Sequence, residues 1–196
     1  RCRSGKLINL SVLAPAGVDE RSLIVGFVIG GAGTRDGKAM LFRAVGPSLG
    51  SLFGVEDALF DPFMSLFSGS GGAALRQNDD WAGNSAVFDS VGAFRFAPNP
   101  RDAAIHESNL APGAYSVQIS SKDSRLGKVL AELYDATLPA ELLATTPRLI
   151  NLSARTVLTN GGEVNVGFVV GGQNSSRILI RASGPSLAAF GVPATL

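Results

Sequence analysis

Cysteine, histidine, charge and long apolar runs are all scarce in this chain, and each shortage removes a class of function. Cys2 is the only cysteine among 196 residues, so an intramolecular disulfide and a cysteine-built metal site are both excluded. It lies at the extreme N-terminus, where the plain reading is an incidental thiol and the sharper one an intermolecular attachment point. His106 is the only histidine, which excludes a multi-histidine zinc centre; beside Glu107 it reads as an ordinary surface residue. No run of 18 or more apolar residues occurs, so no segment reads as a membrane-spanning helix. Charged residues make up 17% of the chain, the net charge is +1, and no basic stripe with interleaved aromatics is present, a pattern that argues against a nucleic-acid partner. The chain opens on Arg1 without a signal-like segment, which reads as a processed or excised piece whose targeting segment is out of view.

What the chain does have is 45% hydrophobic residues, 24 glycines and 10 prolines. Glycine and proline fall between short apolar runs, the punctuation of an all-β protein. Its beginning is also written again near its end. Lys6-Leu7-Ile8-Asn9-Leu10-Ser11 returns as Arg148-Leu149-Ile150-Asn151-Leu152-Ser153. Gly26-Phe27-Val28-Ile29-Gly30-Gly31 returns as Gly167-Phe168-Val169-Val170-Gly171-Gly172, and Arg43-Ala44-Val45-Gly46-Pro47-Ser48-Leu49 as Arg181-Ala182-Ser183-Gly184-Pro185-Ser186-Leu187. The offset slides from 142 (Lys6 to Arg148) to 141 (Gly26 to Gly167) to 138 (Arg43 to Arg181). Solenoid repeats run about 20–50 residues, so a period this long marks tandem modules. Residues 6–147 read as one complete module and residues 148–196 as the first third of a second.

Short β-branched or alternating runs predict strands at Leu7–Ser11, Leu23–Gly30, Ala39–Ala44, Phe63–Ser68, Ala73–Asn78, Ala114–Ser121 and Lys128–Asp135. The second copy adds Leu149–Ser153, Val164–Val170 and Arg177–Ala182. Single helical turns are expected at Ser48–Phe53, Ser186–Phe190 and Ala103–Ser108, and an irregular loop over Asp79–Asn109. About ten short antiparallel strands with little helix predict a β-sandwich with jelly-roll-like connections. The partial second copy offers three strands, too few to stand alone unless their apolar face is covered. They either pack on the first module or pair with a neighbouring chain.

The repeated blocks, together with Asp61-Pro62, Gln77-Asn78-Asp79-Asp80-Trp81, Leu110-Ala111-Pro112-Gly113-Ala114-Tyr115 and Ala131-Glu132-Leu133-Tyr134-Asp135, resemble a tandem repeat of large secreted and surface proteins of Verrucomicrobia, Planctomycetes and related bacteria. The resemblance covers nearly the whole chain and implies an extracellular β-rich building block without enzymatic activity. The stretches Phe63–Asp80 and Leu110–Ser121 also resemble the bacterial pre-peptidase type of β-sandwich, some members of which bind calcium.

Several motifs invite chemistry. Gly46-Pro47-Ser48-Leu49-Gly50 matches the G-x-S-x-G nucleophile elbow, but that motif needs a strand–turn–helix on a mostly parallel sheet, and the second copy ends in Ala188 where the last glycine belongs. A turn closing the third strand, with the serine capping a helical turn, is the better reading. Asn78, Asp79 and Asp80 follow a strand, with Asp57, Asp61 and Asp89 not far off in sequence. Calcium takes six to eight oxygens, so this cluster is the candidate metal site; an Asx-turn is the plainer alternative. Trp81, the one tryptophan, is the candidate platform for a sugar, or a lid on the core edge. Gly30–Lys38 fails as a phosphate-binding loop and reads as a hairpin loop. Arg43 and Arg181 hold the same strand end in both copies, where a guanidinium would pair with Asp61 or Asp135.

No catalytic residue and no cofactor beyond that candidate calcium is expected. The chain reads as an extracellular or cell-surface structural and adhesive module, self-assembling through strand edges or module contacts into a fibre or array. The alternative is a ligand-binding accessory module that recognises polysaccharide or calcium.

Overall fold

In a computed structural model, residues 5–69, 71–98, 100–158, 162–192 and 195 are described, so Cys2 lies outside the described residues. The strands are β1 (Lys6–Ala16), β2 (Leu23–Gly30), β3 (Lys38–Val45), β4 (Pro62–Ser68), β5 (Arg76–Asn78), β6 (Ala103–Leu110), β7 (Gly113–Ser121), β8 (Gly127–Asp135), β9 (Arg148–Arg155) and β10 (Asn165–Gly171). Two short helices, α1 (Pro47–Phe53) and α2 (Ala86–Val91), interrupt them. The chain divides into two compact units. One is Lys6–Gly171, and the other is formed by the described residues of 1–5 and 172–196. The second unit carries a 3-10 turn at Pro185–Phe190 and a bond in which Ser176 Oγ donates to the Gly5 carbonyl at 2.7 Å.

Every strand pair is antiparallel. One half of the larger unit runs β6-β3-β8-β1-β10 and the other β5-β4-β7-β2-β9. The halves join where Leu7 pairs with Leu149, so the ten strands form one continuous sheet folded onto itself. The protein is all-β.

Alternation along each strand builds the core. Leu10, Val12 and Ala14 of β1 and Leu23, Val25, Phe27 and Ile29 of β2 point inward. They meet Phe42, Met64, Leu66, Val117, Ile119, Val129, Ala131 and Leu133. Phe27 packs against Phe42 and stacks on Tyr115, with ring centroids 5.1 and 5.4 Å apart. Fully burying an aliphatic or phenyl side chain contributes about 1.5–3 kcal/mol, so this alternation supplies the main driving force. A second cluster covers the outer face of β3, β6 and β8. There Leu41, Ala104 and Tyr134 receive Phe88 of α2, with Trp81 and Phe96 packed against them.

Five expectations from the sequence need correction. Ala103–Ser108 is not a helical turn but most of β6, which pairs with β3 and buries Ala103 and Ile105. Alanine and polar residues hide its alternation. The span Asp79–Asn109 therefore holds α2 and a strand as well as loop. Arg177–Ala182 forms no strand; its counterpart β3 is held between β6 and β8, and the chain carries one copy of each. Ala73–Asn78 shrinks to the three residues of β5. The loop after β2 is an arch between the two halves, because β2 pairs with β7 and β9 while β3 pairs with β6 and β8.

Candidate functional site

The repeat is laid out in space as a strand exchange. β1 carries β8 on one edge and β10 on the other, while β2 carries β7 and β9. Because β9 repeats β1 and β10 repeats β2, each copy's first strand pairs with the other copy's second strand. The registers coincide. Leu10 faces Phe168 and Ser11 faces Gly167 in one seam; Leu152 faces Phe27 and Ser153 faces Gly26 in the other. Lys6 meets Gly171 as Arg148 meets Gly30.

Finer details repeat too. The ladder slips by one residue at Ile8 in β1, between Leu7 and Asn9, and at Ile150 in β9, where Val28 faces Asn151 and Ile29 faces Leu149. Ser11 Oγ donates to the Gly167 carbonyl at 3.4 Å, and Ser153 Oγ to the Gly26 carbonyl at 3.3 Å. A Cβ on Gly26 would sit 2.7 Å from Ser153 Oγ, and one on Gly167 would sit 2.8 Å from Ser11 Oγ. Glycine at both positions thus admits the facing serine. Leu7 pairs with its own counterpart, Leu149, as residues on a two-fold axis do. The two strand pairs are related as the halves of an isologous interface.

The seams differ in what lies beyond them. Val25, Phe27 and Ile29 are at most 2% exposed, whereas their counterparts Val166, Phe168 and Val170 are 56%, 39% and 39% exposed. Directly opposed residues in an antiparallel pair share a face, so Phe168 and Val166 extend the apolar face of Leu10 and Val12 past the point where the first module's core ends.

Of the residues singled out for metal or sugar binding, Asn78 and Asp79 have polar partners within the protein. Asn78 Oδ1 accepts from the Ala104 amide at 2.9 Å, and its Nδ2 donates to the Asp80 carbonyl at 3.1 Å. Asp79 pairs with Lys122 at 2.6 Å, and the hydrogen bond from that ammonium holds its carboxyl below the usual aspartate range. Asp80 is exposed. Asp57, Asp61 and Asp89 each have a separate basic partner, Lys128, Arg101 and Arg95. Among the described residues, no group of three or more His, Cys, Asp or Glu is placed to hold a metal ion. Trp81 stacks on Phe88 at 5.4 Å.

Ser48 is fully buried. Its hydroxyl donates to Asp102 and accepts from the Ala97 amide, and Asp102 also accepts from the Gly46 and Ser48 amides. Burial pushes the Asp102 carboxyl up, against the pull of those hydrogen bonds. Asp102 thus satisfies the first turn of α1 from outside the helix, whereas the Ser48 hydroxyl, expected to cap that turn, instead links Asp102 to the Ala97 amide and is no exposed nucleophile. His106 is exposed on β6 and lines a cavity of about 360 Å³ with Val87, Ser90, Ser108, Leu138 and Glu141.

Arg43 pairs with Glu132 at 2.9 Å, where the sequence suggested Asp61 or Asp135. Its guanidinium lies 4.4–4.6 Å from the ring centres of Phe88, Phe94 and Phe96 and donates to the Phe94 carbonyl. Burial raises the Glu132 carboxyl, partly offset by Arg43. Asp135 instead pairs with Lys38 at 2.7 Å and Lys6 at 2.8 Å. Burial opposes its ionisation, but the two ammonium groups prevail and hold it below the usual range. Neither Asp102 nor the role of Glu132 was legible beforehand, since each is a lone carboxylate whose partner arrives from an element distant in sequence, the start of α1 for Asp102 and β3 for Glu132. No protein-family model matches the chain, and no curated protein or solved structure is detectably similar to it.

Proposed function

We propose that this chain is a structural module that joins to its neighbour by exchanging strands, within a secreted or surface-exposed repeat protein. The observation that supports this reading is the matched pairing of β1 with β10 and β9 with β2, down to the shared slip at Ile8 and Ile150. Repeated sequence need not produce repeated contacts; here the same side chains meet in the same register twice. An isologous exchange closes on itself, so it joins modules in pairs, and growth beyond a pair has to use other edges. The extracellular setting is part of the proposal and rests on the sequence resemblance.

Deletion of residues 148–196 tests the reading. It strips β9 and β10 and leaves the second edges of β1 and β2 bare, a template for unwanted pairing. The expected result is a lower melting temperature together with concentration-dependent association. An unchanged melting temperature and an unchanged mass across a concentration series would remove the exchange as the purpose of the repeat. Electron microscopy of the intact chain over the same series reads whether pairs go on to form fibres.

A further inference from the structure

The geometry points to the far edges of β9 and β10 as the docking surface for a strand–turn–strand arch with the chemistry of residues 113–135. This inference rests on the strand-exchange reading and adds the identity of the occupant.

In the first copy, one continuous segment covers both far edges. β7 lies along β2 and β8 lies along β1, and the two are joined by the short turn of residues 122–126. Since β7 and β8 belong to opposite halves of the sandwich, the segment is an arch that clasps β1 and β2 at once. The near edges of β9 and β10 are taken by the exchange. Beyond the single Leu7–Leu149 contact that joins the halves, their far edges carry no paired strand among the described residues.

The contact residues recur on those far edges. Val25, Gly26, Phe27 and Val28 face Val117, Ser116, Tyr115 and Ala114 of β7, and the same four residue types stand at Val166, Gly167, Phe168 and Val169. Asn9, Leu10 and Ser11 face Tyr134, Leu133 and Glu132 of β8, and they return as Asn151, Leu152 and Ser153. Asn9 Nδ2 donates to the Leu133 carbonyl at 3.3 Å. Lys6 pairs with Asp135 at the end of the arch, and at its position Arg148 stands exposed, a cation suited to the same carboxylate. The apolar face of Val166, Phe168 and Val170 is the one that Tyr115 and Val117 cover in the first copy. Filling both edges would extend each half of the sandwich across two modules, with a second core closed behind the first.

The occupant is therefore a polypeptide arch of two alternating strands, apolar inward and ending in a carboxylate. Strand addition of this kind takes affinity from main-chain hydrogen bonds and specificity from alternate side chains.

The test titrates a synthetic peptide of residues 113–135 onto the full chain and follows amide exchange residue by residue. In an edge strand, alternate amides point to the two edges, so near-edge and far-edge protection are read separately. A parallel sample carries the arch in tandem, as the full chain followed by a second copy of its residues 60–136, where the effective concentration is high. The expected result is a 1:1 complex in which far-edge amides of 148–155 and 165–171 slow by about tenfold or more, and no slowing from a peptide carrying Val117→Asp and Leu133→Asp. Far-edge amides that stay fast in both samples, beside protected near-edge amides, would overturn the arch and leave the exchange standing. Far-edge protection that appears without peptide as the chain dimerises would also overturn it, by making a second chain the occupant. Unprotected near-edge amides in the free chain would instead defeat the exchange itself.

Discussion

The two copies of the repeated text meet very different fates. In the first, Leu41 and Phe42 are fully buried; their counterparts Leu179 and Ile180 are 83% and 73% exposed. Arg43 is buried among three phenylalanine rings, and Arg181 is exposed. Gly46-Pro47-Ser48-Leu49 opens an α-helix capped by Asp102, while Gly184-Pro185-Ser186-Leu187 opens a 3-10 turn with no side-chain cap. Yet Leu149–Ser153 and Asn165–Gly171 are strands in both settings. The difference teaches what each segment needs. The first two strands of a copy find edges to pair with on the other copy, whereas the third needs β6 and β8. The Gly-Pro-Ser turn forms on local geometry alone, because proline presets φ for a first helical turn.

Substitutions at matched positions sharpen that comparison, and the largest effects fall in the first copy. Phe27→Ala removes a ring from the centre of the core and should cost about 3–5 kcal/mol in denaturant titration. Phe168→Ala, at the equivalent but open position, should cost less than about 1 kcal/mol. Equal costs would mean that the second copy has a closed core of its own.

Asp135→Asn breaks a buried ion pair whose lysine, Lys38, is inaccessible, and a comparable loss of about 3–5 kcal/mol is expected. The second copy has Ser176 in place of Lys38 and no such pair. The pH dependence follows from the direction of the shift. Asp135 is held below the ordinary aspartate range, so its contribution is complete above about pH 4, where unfolded aspartate ionises, and drains as pH falls through the depressed folded value. Stability measured on the acid side should fall less steeply in Asp135→Asn than in the parent.

Much of the fold was legible because alternation and punctuation are local signals. Leu23–Gly30 was expected residue for residue, and β4, β7 and β8 to within one residue at either end. β6 was hidden because alanines supply part of its buried face. The pairing of the copies was not legible, since alternation says which face a residue takes and says nothing of which strand lies alongside. Asn78, Asp79 and Asp80 formed a cluster in the sequence, but Ala104 of β6 and Lys122 of the turn after β7 claim two of them from farther along the chain.

A smaller effect is expected at Asp102. Removing its carboxylate by Asp102→Ala leaves the Gly46 and Ser48 amides without their acceptor, a loss of about 1–3 kcal/mol, read as a lower denaturation midpoint; Ser186→Ala in the second copy should change nothing measurable. The smallest pair compares the seams. Gly26→Ala and Gly167→Ala should each cost about 1 kcal/mol by crowding the facing serine, relieved by Ser153→Ala in the first case and Ser11→Ala in the second. Relief at only one seam would break their equivalence.

The most direct test of the central claim is the set of cross-strand nuclear Overhauser contacts in the intact chain. Strand exchange predicts contacts between Ser11 and Gly167 and between Ser153 and Gly26, with Leu10 near Phe168 and Leu152 near Phe27. Contacts between β9 and β10 themselves, such as Leu152 with Phe168, in place of these would mean that the second copy pairs within itself, and would contradict the account.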